Sequence, residues 1–311
     1  MKKRFSLLFF CLFSQLCVFS PKSEADDCRD VEGTTETISA HCDRLTIKGS
    51  GSNITINAGV TVGHRVGNEI NGNIVSHEDE DSVQSIIINN GEIVSNTRRT
   101  LTTNKGNISQ LINNGTIKAT TNQAVRTYTS ITTLTNTGTI LAVDKQAIEN
   151  RPDGTIGTLT NTGTISAGNE DALKNQGSIG TITNTGTISS GNNGFDILNR
   201  GHTNASIGIL NNSQGKSGTN PVTFSGSLPT NYNVIVNSTN NYGQIVFSDF
   251  AGQNNTALNF GVDPSSTLAA STTYSAVIDG LSSSEIASGN SGSVVSGSSR
   301  LNWTLLNSAN N

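Results

Sequence analysis

Leu159-Thr-Asn-Thr-Gly-Thr-Ile165 decides the fold, because the chain keeps rewriting it. It returns as Ile88-Asn-Asn-Gly-Glu-Ile93, Ile112-Asn-Asn-Gly-Thr-Ile117, Leu134-Thr-Asn-Thr-Gly-Thr-Ile140 and Ile182-Thr-Asn-Thr-Gly-Thr-Ile188. The glycines Gly91, Gly115, Gly138, Gly163 and Gly186 recur every 23 to 25 residues, a period that marks a solenoid. Period-two alternation sends Leu159 and Ile165 to the core and Thr160 and Thr162 to water. Asn161 turns towards the interior at a corner. There the asparagines of successive coils (Asn113, Asn136, Asn161, Asn184, Asn211) can hydrogen-bond to one another and to turn backbone. The glycine that follows is expected to supply a positive φ for the bend.

A second phrase lies midway between these units: Ala124-Val-Arg126, Ala147-Ile-Glu-Asn150, Ala172-Leu-Lys-Asn175 and Phe195-Asp-Ile-Leu-Asn199. Each coil therefore holds three short strands. Strands of one coil cannot pair with each other, so each pairs in parallel and in register with its equivalent in the next coil. The expected fold is all-β, a parallel β-helix, right-handed by the crossover rule. With 33% hydrophobic residues the chain cannot fill a thick core, but it can fill this thin one.

At the N-terminus, Lys2, Lys3 and Arg4 precede an apolar run from Phe5 to Phe19, and Ser23-Glu24-Ala25 offers a cleavage site. Residues 1–25 read as a signal peptide, too short to span a bilayer, which needs about 20 apolar residues. The expected location is the cell surface or extracellular space, reached through the periplasm. Removing the leader leaves 15 Lys and Arg against 22 Asp and Glu, a net charge of about −7, which disfavours nucleic acid as a partner. Cys28 and Cys42 remain, and an oxidising compartment leads us to expect a disulfide stapling an N-terminal cap over 26–43. Repeats would fill 44–215, with Leu45, Ile47, Ile54, Ile56, Val60 and Val62 inward. Residues 216–311, where aromatic residues concentrate, form a C-terminal β-rich junction or cap. The run Glu78-Asp-Glu-Asp81 lacks the ligand spacing of a calcium site and reads as a solvated loop.

The signal peptide, the repeats, Tyr242-Gly-Gln-Ile-Val-Phe247, the stretch 273–281 and Leu301-Asn-Trp-Thr-Leu-Leu306 together resemble the passenger segments of bacterial autotransporters and related adhesin-like β-helices. The resemblance implies a host-surface, glycan or other cell-surface ligand and, as a further partner, a translocating outer-membrane barrel. Such a barrel takes about a dozen strands of roughly 9 to 11 residues. The sequence to Asn311 offers no such series, so we expect a fragment, a passenger encoded apart from its barrel, or a barrel-less relative.

Parallel β-helices also include polysaccharide lyases and hydrolases, which need convergent carboxylates. Asp144, Asp153, Glu170, Asp171 and Asp196 are the acidic residues singled out on the central coils. They fall at different repeat positions, and alternation splays Glu170 from Asp171. No catalytic residue, cofactor site or metal site is assigned. A third alternative is ice binding by stacked Thr137/Thr139, Thr162/Thr164 and Thr185/Thr187, but these pairs flank a corner and earlier coils lack them. The expected function is thus a non-enzymatic exported scaffold, with ligand sites in the interruptions at 64–82, 96–106 or 192–206.

Overall fold

The computed structural model describes residues 30–306 apart from 49–50, 64–72, 78–84, 217, 250–256 and 289–290. The signal peptide and the acidic run at 78–81 lie outside the described residues.

Alternating short strands stack into a parallel β-solenoid of three sheets. Among the described residues, sheet 1 has ten strands, sheet 2 eleven and sheet 3 six. One central coil runs through Ser130–Asn136 in sheet 2, Thr139–Ala142 in sheet 3 and Ile148–Asn150 in sheet 1. Register follows the repeat: Leu111, Leu134, Leu159 and Ile182 align on consecutive strands, as do Ile117, Ile140, Ile165 and Ile188. These columns are fully buried. Each coil contributes only a few aliphatic side chains, and the backbone is satisfied by the coils on either side. At about 4.8 Å per strand, the eleven strands of sheet 2 span roughly 50 Å.

The phrase's asparagines form a continuous buried ladder at the corner between sheets 2 and 3. Asn89 Nδ2 donates to Asn113 Oδ1 at 2.7 Å, Asn113 to Asn136 at 2.7 Å, Asn136 to Asn161 at 2.8 Å, Asn161 to Asn184 at 2.8 Å and Asn184 to Asn212 at 3.0 Å. Asn212 takes the place of the expected Asn211, because Leu210 lies in register with Ile182 and so sets Asn212 beside Asn184, while Asn211 donates to Thr183 Oγ1 at 3.2 Å. A second ladder, Asn150 to Asn175 to Asn199 with 2.7 Å steps, lines the end of sheet 1.

The corner glycines correct an expectation. None of Gly91, Gly115, Gly138, Gly163 or Gly186 has a positive φ. Glycine is required because the backbones touch: a Cβ on Gly163 would lie 2.1 Å from Gly138 O and 2.6 Å from Thr137 O. The constraint is steric crowding between coils, not left-handed backbone.

The N-terminal end also departs from expectation. The expected Cys28–Cys42 staple is not seen within the described residues, which hold no Sγ–Sγ pair. Cys42 is the one described cysteine, a half-cystine, and Cys28 lies outside the described residues. What holds this end in the described residues is strand pairing. Val31–Glu32 joins sheet 1 beside Leu45–Lys48, Thr35–Ile38 joins sheet 2 beside Asn53–Ile56, and Cys42 bridges Val62. Residues 31–38 therefore already belong to the first coil. The interruption at 64–82 likewise contains a strand, Val75–His77, that keeps sheet 1 continuous between Leu45–Lys48 and Leu101–Thr103.

Towards the C-terminus sheet 3 stops at Thr187–Ser189, while sheets 1 and 2 run on through Val222–Gly226, Asn231–Val234, Ile245–Ser248 and Leu258–Val262. Gln214 terminates sheet 3. Its side-chain amide accepts from Ile188 N at 2.7 Å and donates to Ile188 O at 2.9 Å, the two bonds a further strand would have made. Core columns then switch from aliphatic to aromatic, Ile197 to Phe224 to Phe247 and Leu210 to Tyr232 to Phe260. The larger side chains fill the space left by the missing sheet. An antiparallel hairpin, Ser291–Ser296 with Ser299–Thr304, follows, and its Trp303 packs edge-on to Phe260 with centroids 5.5 Å apart.

Candidate functional site

The repeat residues Asn113, Asn136, Asn161 and Asn184 are buried and committed to one another. Their amides also bond the turn backbone, for example Asn136 Nδ2 to Thr164 O at 3.0 Å. Gly115, Gly138, Gly163 and Gly186 pack against the preceding coil. The phrase that dominates the sequence therefore offers a partner little beyond its outward threonines. Thr133 and Thr135, Thr158 and Thr160, and Thr181 and Thr183 align in two columns on sheet 2, while Ile209 and Asn211 occupy the next coil.

The outward side of sheet 1 differs. Its strands are only about three residues long, so each presents one central side chain, and the column reads Thr102, Arg126, Glu149, Lys174, Leu198, Ser225. The residue after each of the middle strands adds Tyr128, Arg151, Gln176 and Arg200. Glu149 is 3% exposed and lies between two guanidiniums, 2.8 Å from Arg126 Nε and 3.2 Å from Arg151 Nη1. Arg151 Nη1 also donates to Gln176 Oε1 at 3.1 Å. The Tyr128 ring lies beneath both cations, with its centroid 4.8 Å from the Arg126 guanidinium carbon and 5.9 Å from that of Arg151. Burial pushes the Arg126 guanidinium down from its ordinary value, Glu149 opposes the shift, and Arg99 and Arg151 add to it.

This cluster carries more positive charge than it neutralises. Among the described residues, the side chains of Arg99, Lys174 and Arg200 make no ion pair or hydrogen bond. Lys174 and Arg200 are close enough to Asp171 to draw its carboxyl pKa down, although burial, the larger influence, raises it. Five cations thus face Glu149 and Asp171 on one side of an otherwise acidic chain.

The carboxylates singled out in the sequence are dispersed. Asp144 accepts from Asn169 Nδ2 at 3.3 Å, and Asp153 is exposed. Glu170 is paired with Lys145 at 2.5 Å and accepts from Gln146. Asp171 accepts from Phe195 N at 2.9 Å, and Asp196 from Ser190 N at 2.6 Å and Thr223 N at 2.9 Å. Most therefore serve the loops and coil joints that they cross. Among the described residues, no group of three or more His, Cys, Asp or Glu is placed to hold a metal ion.

The cluster around Glu149 was not singled out from sequence. The signal is the third position of Ala-Val-Arg, Ala-Ile-Glu and Ala-Leu-Lys, which alternates in sign from coil to coil once the register is known. A separate cavity of about 840 Å³, of mixed polar and apolar lining, lies towards the C-terminal end between Val234, Phe260, Leu268, Tyr274, Leu301 and Trp303.

No protein-family model, curated protein or solved structure matches the chain. The reading of function accordingly rests on the solenoid and its faces.

Proposed function

We propose that the chain is an exported, adhesin-like scaffold related in style to autotransporter passengers, displayed at the cell surface or released, and that it binds a cell-surface or glycan ligand through the outer faces of its solenoid. One observation carries this reading. The buried corner is nearly the same in every coil, whereas the outward column of sheet 1 changes from Arg126 to Glu149 to Lys174 to Leu198. Repetition maintains the rod, and variation on one face distinguishes positions along it. The dispersed carboxylates support a non-enzymatic role, since glycoside cleavage needs two that converge. A translocating barrel is the partner this reading calls for during export. The test is binding of the purified chain to arrays of host-surface proteins and glycans. Saturable binding without cleavage is expected; no binding on any panel, together with cleavage of a polysaccharide, would overturn the proposal.

A further inference from the structure

We infer that the sheet 1 face from Arg99 to Arg200 is a binding site for an anionic polysaccharide lying along the solenoid axis. The inference deepens the scaffold reading by naming the ligand's chemistry and its place.

Three features point to it. The first is uncompensated charge: Arg99, Lys174 and Arg200 have no side-chain partner among the described residues, and Arg151, half-buried, spends only Nη1 on Glu149 and Gln176. The second is preorganisation. Glu149 and the Tyr128 ring hold Arg126 and Arg151 in fixed positions, so little side-chain entropy is lost when an anion binds. The third is spacing. Arg151, Gln176 and Arg200 follow successive strands, so the cations recur in steps of one or two coils, about 4.8 Å each. A linear chain with charged groups at regular intervals matches that repeat, and a compact anion does not.

The surroundings select a saccharide over a nucleic acid. Gln176, half-buried beside Arg151, supplies an amide that suits sugar hydroxyls. Single-stranded nucleic acids are held by stacking bases on open aromatic faces, and the Tyr128 ring is already covered by guanidinium. Glu149 and Asp171, both buried, interrupt the row of cations that a continuous phosphate backbone would track; these acids lie among the cations and not between them and solvent. A polymer bearing about one carboxylate or sulfate per sugar can meet the cations and pass these acids with its hydroxyls.

The experiment uses the purified chain and surface plasmon resonance against a sulfated oligosaccharide (heparin fragments), a carboxylated one (oligogalacturonate), a neutral one (cello-oligosaccharide) and a single-stranded oligonucleotide of matched charge. At least one acidic saccharide should bind, more weakly in 200 mM than in 50 mM salt, and the two acidic arms report whether sulfate or carboxylate is preferred. The variant Arg151→Gln/Lys174→Gln/Arg200→Gln should lose about tenfold or more in affinity. The control Lys118→Gln/Lys216→Gln, with cations outside sheet 1, should not. Circular dichroism establishes that each variant is folded; if the triple variant is not, Lys174→Gln alone, at a half-buried position, carries the test. Binding no tighter to acidic than to neutral saccharide, equal or tighter binding of the oligonucleotide, or an equal loss in the control would each overturn the site. Cell binding that survives such a result would leave the scaffold reading standing. Saccharide binding without attachment to any cell or matrix would leave the site and remove the adhesin role.

Discussion

The corner between sheets 2 and 3 and the outward face of sheet 1 are built from the same coils under opposite rules. At the corner Asn136, Asn161 and Asn184 and their glycines are nearly interchangeable, and each side-chain amide donates to the asparagine of the next coil. On the face Arg126, Glu149 and Lys174 share a register position and differ in charge. A buried amide without a partner costs about 1–3 kcal/mol, which is enough to hold the corner uniform, whereas on the face the buried Arg126 and Glu149 differ because they pair with each other and Lys174 is partly exposed. The most repetitive sequence therefore marks what the fold needs, and the least repetitive position marks where the molecule can vary for recognition.

Substitutions can break or sharpen this contrast. The largest effect is expected for Gly163→Ala. Its Cβ would meet Gly138 O and Thr137 O, so the coils must separate, and chemical denaturation should register a loss of about 3 kcal/mol or more. Retained stability would mean that the corner is looser than its geometry implies. Asn161→Ala removes the middle of the ladder, depriving Asn136 Nδ2 of an acceptor and Asn184 Oδ1 of a donor, and should cost about 2–3 kcal/mol in the same assay. Gln214→Ala should cost about 2 kcal/mol and speed hydrogen exchange at Ile188, whose amide would lose its acceptor. Unchanged exchange there would show that the amide does not stand in for a strand.

The smallest effect concerns pH. Burial holds the Asp171 carboxyl above its ordinary pKa, so the folded chain binds that proton more tightly than the unfolded one. Its contribution to stability is present below the unfolded value near 3.8 and is lost as pH rises through the folded value. Asp171→Asn, which keeps an oxygen for Phe195 N, should therefore be neutral in acid and slightly stabilising at pH 7, by less than about 1 kcal/mol. Thermal unfolding from pH 3 to 7 checks the sign; a variant less stable at pH 7 would mean that the carboxylate charge is favourably matched, by Lys174 and Arg200 among others.

Much of the fold was legible because one periodic signal set it. Alternation placed Leu45, Ile47, Ile54, Ile56, Val60 and Val62 inside, where all six are buried, and the two phrases located strands of all three sheets. What escaped depended on contacts between coils. The glycine requirement comes from the backbone of the preceding coil, and the end of sheet 3 from Gln214, a residue outside the repeat. The strand Val75–His77 was hidden in a polar stretch because three residues are too few to show a period. The site was least legible. Arg126, Glu149 and Arg151 are separated by 23 and 2 positions, and their convergence is visible only once Val125 is known to lie beside Ile148.

The most direct test of the division between corner and face is a thermal-unfolding measurement of the wild-type chain and of Arg151→Gln/Lys174→Gln/Arg200→Gln, each with and without whichever of heparin fragments and oligogalacturonate binds the wild type more tightly, at about one hundred times its Kd. Without ligand the two Tm values should agree to within about 2 °C, because the altered side chains are outside the core. With ligand the wild-type Tm should rise by about 5 °C or more and the variant's should stay near its ligand-free value. Equal rises in both chains, or no rise in the wild type, would contradict a recognition face on sheet 1.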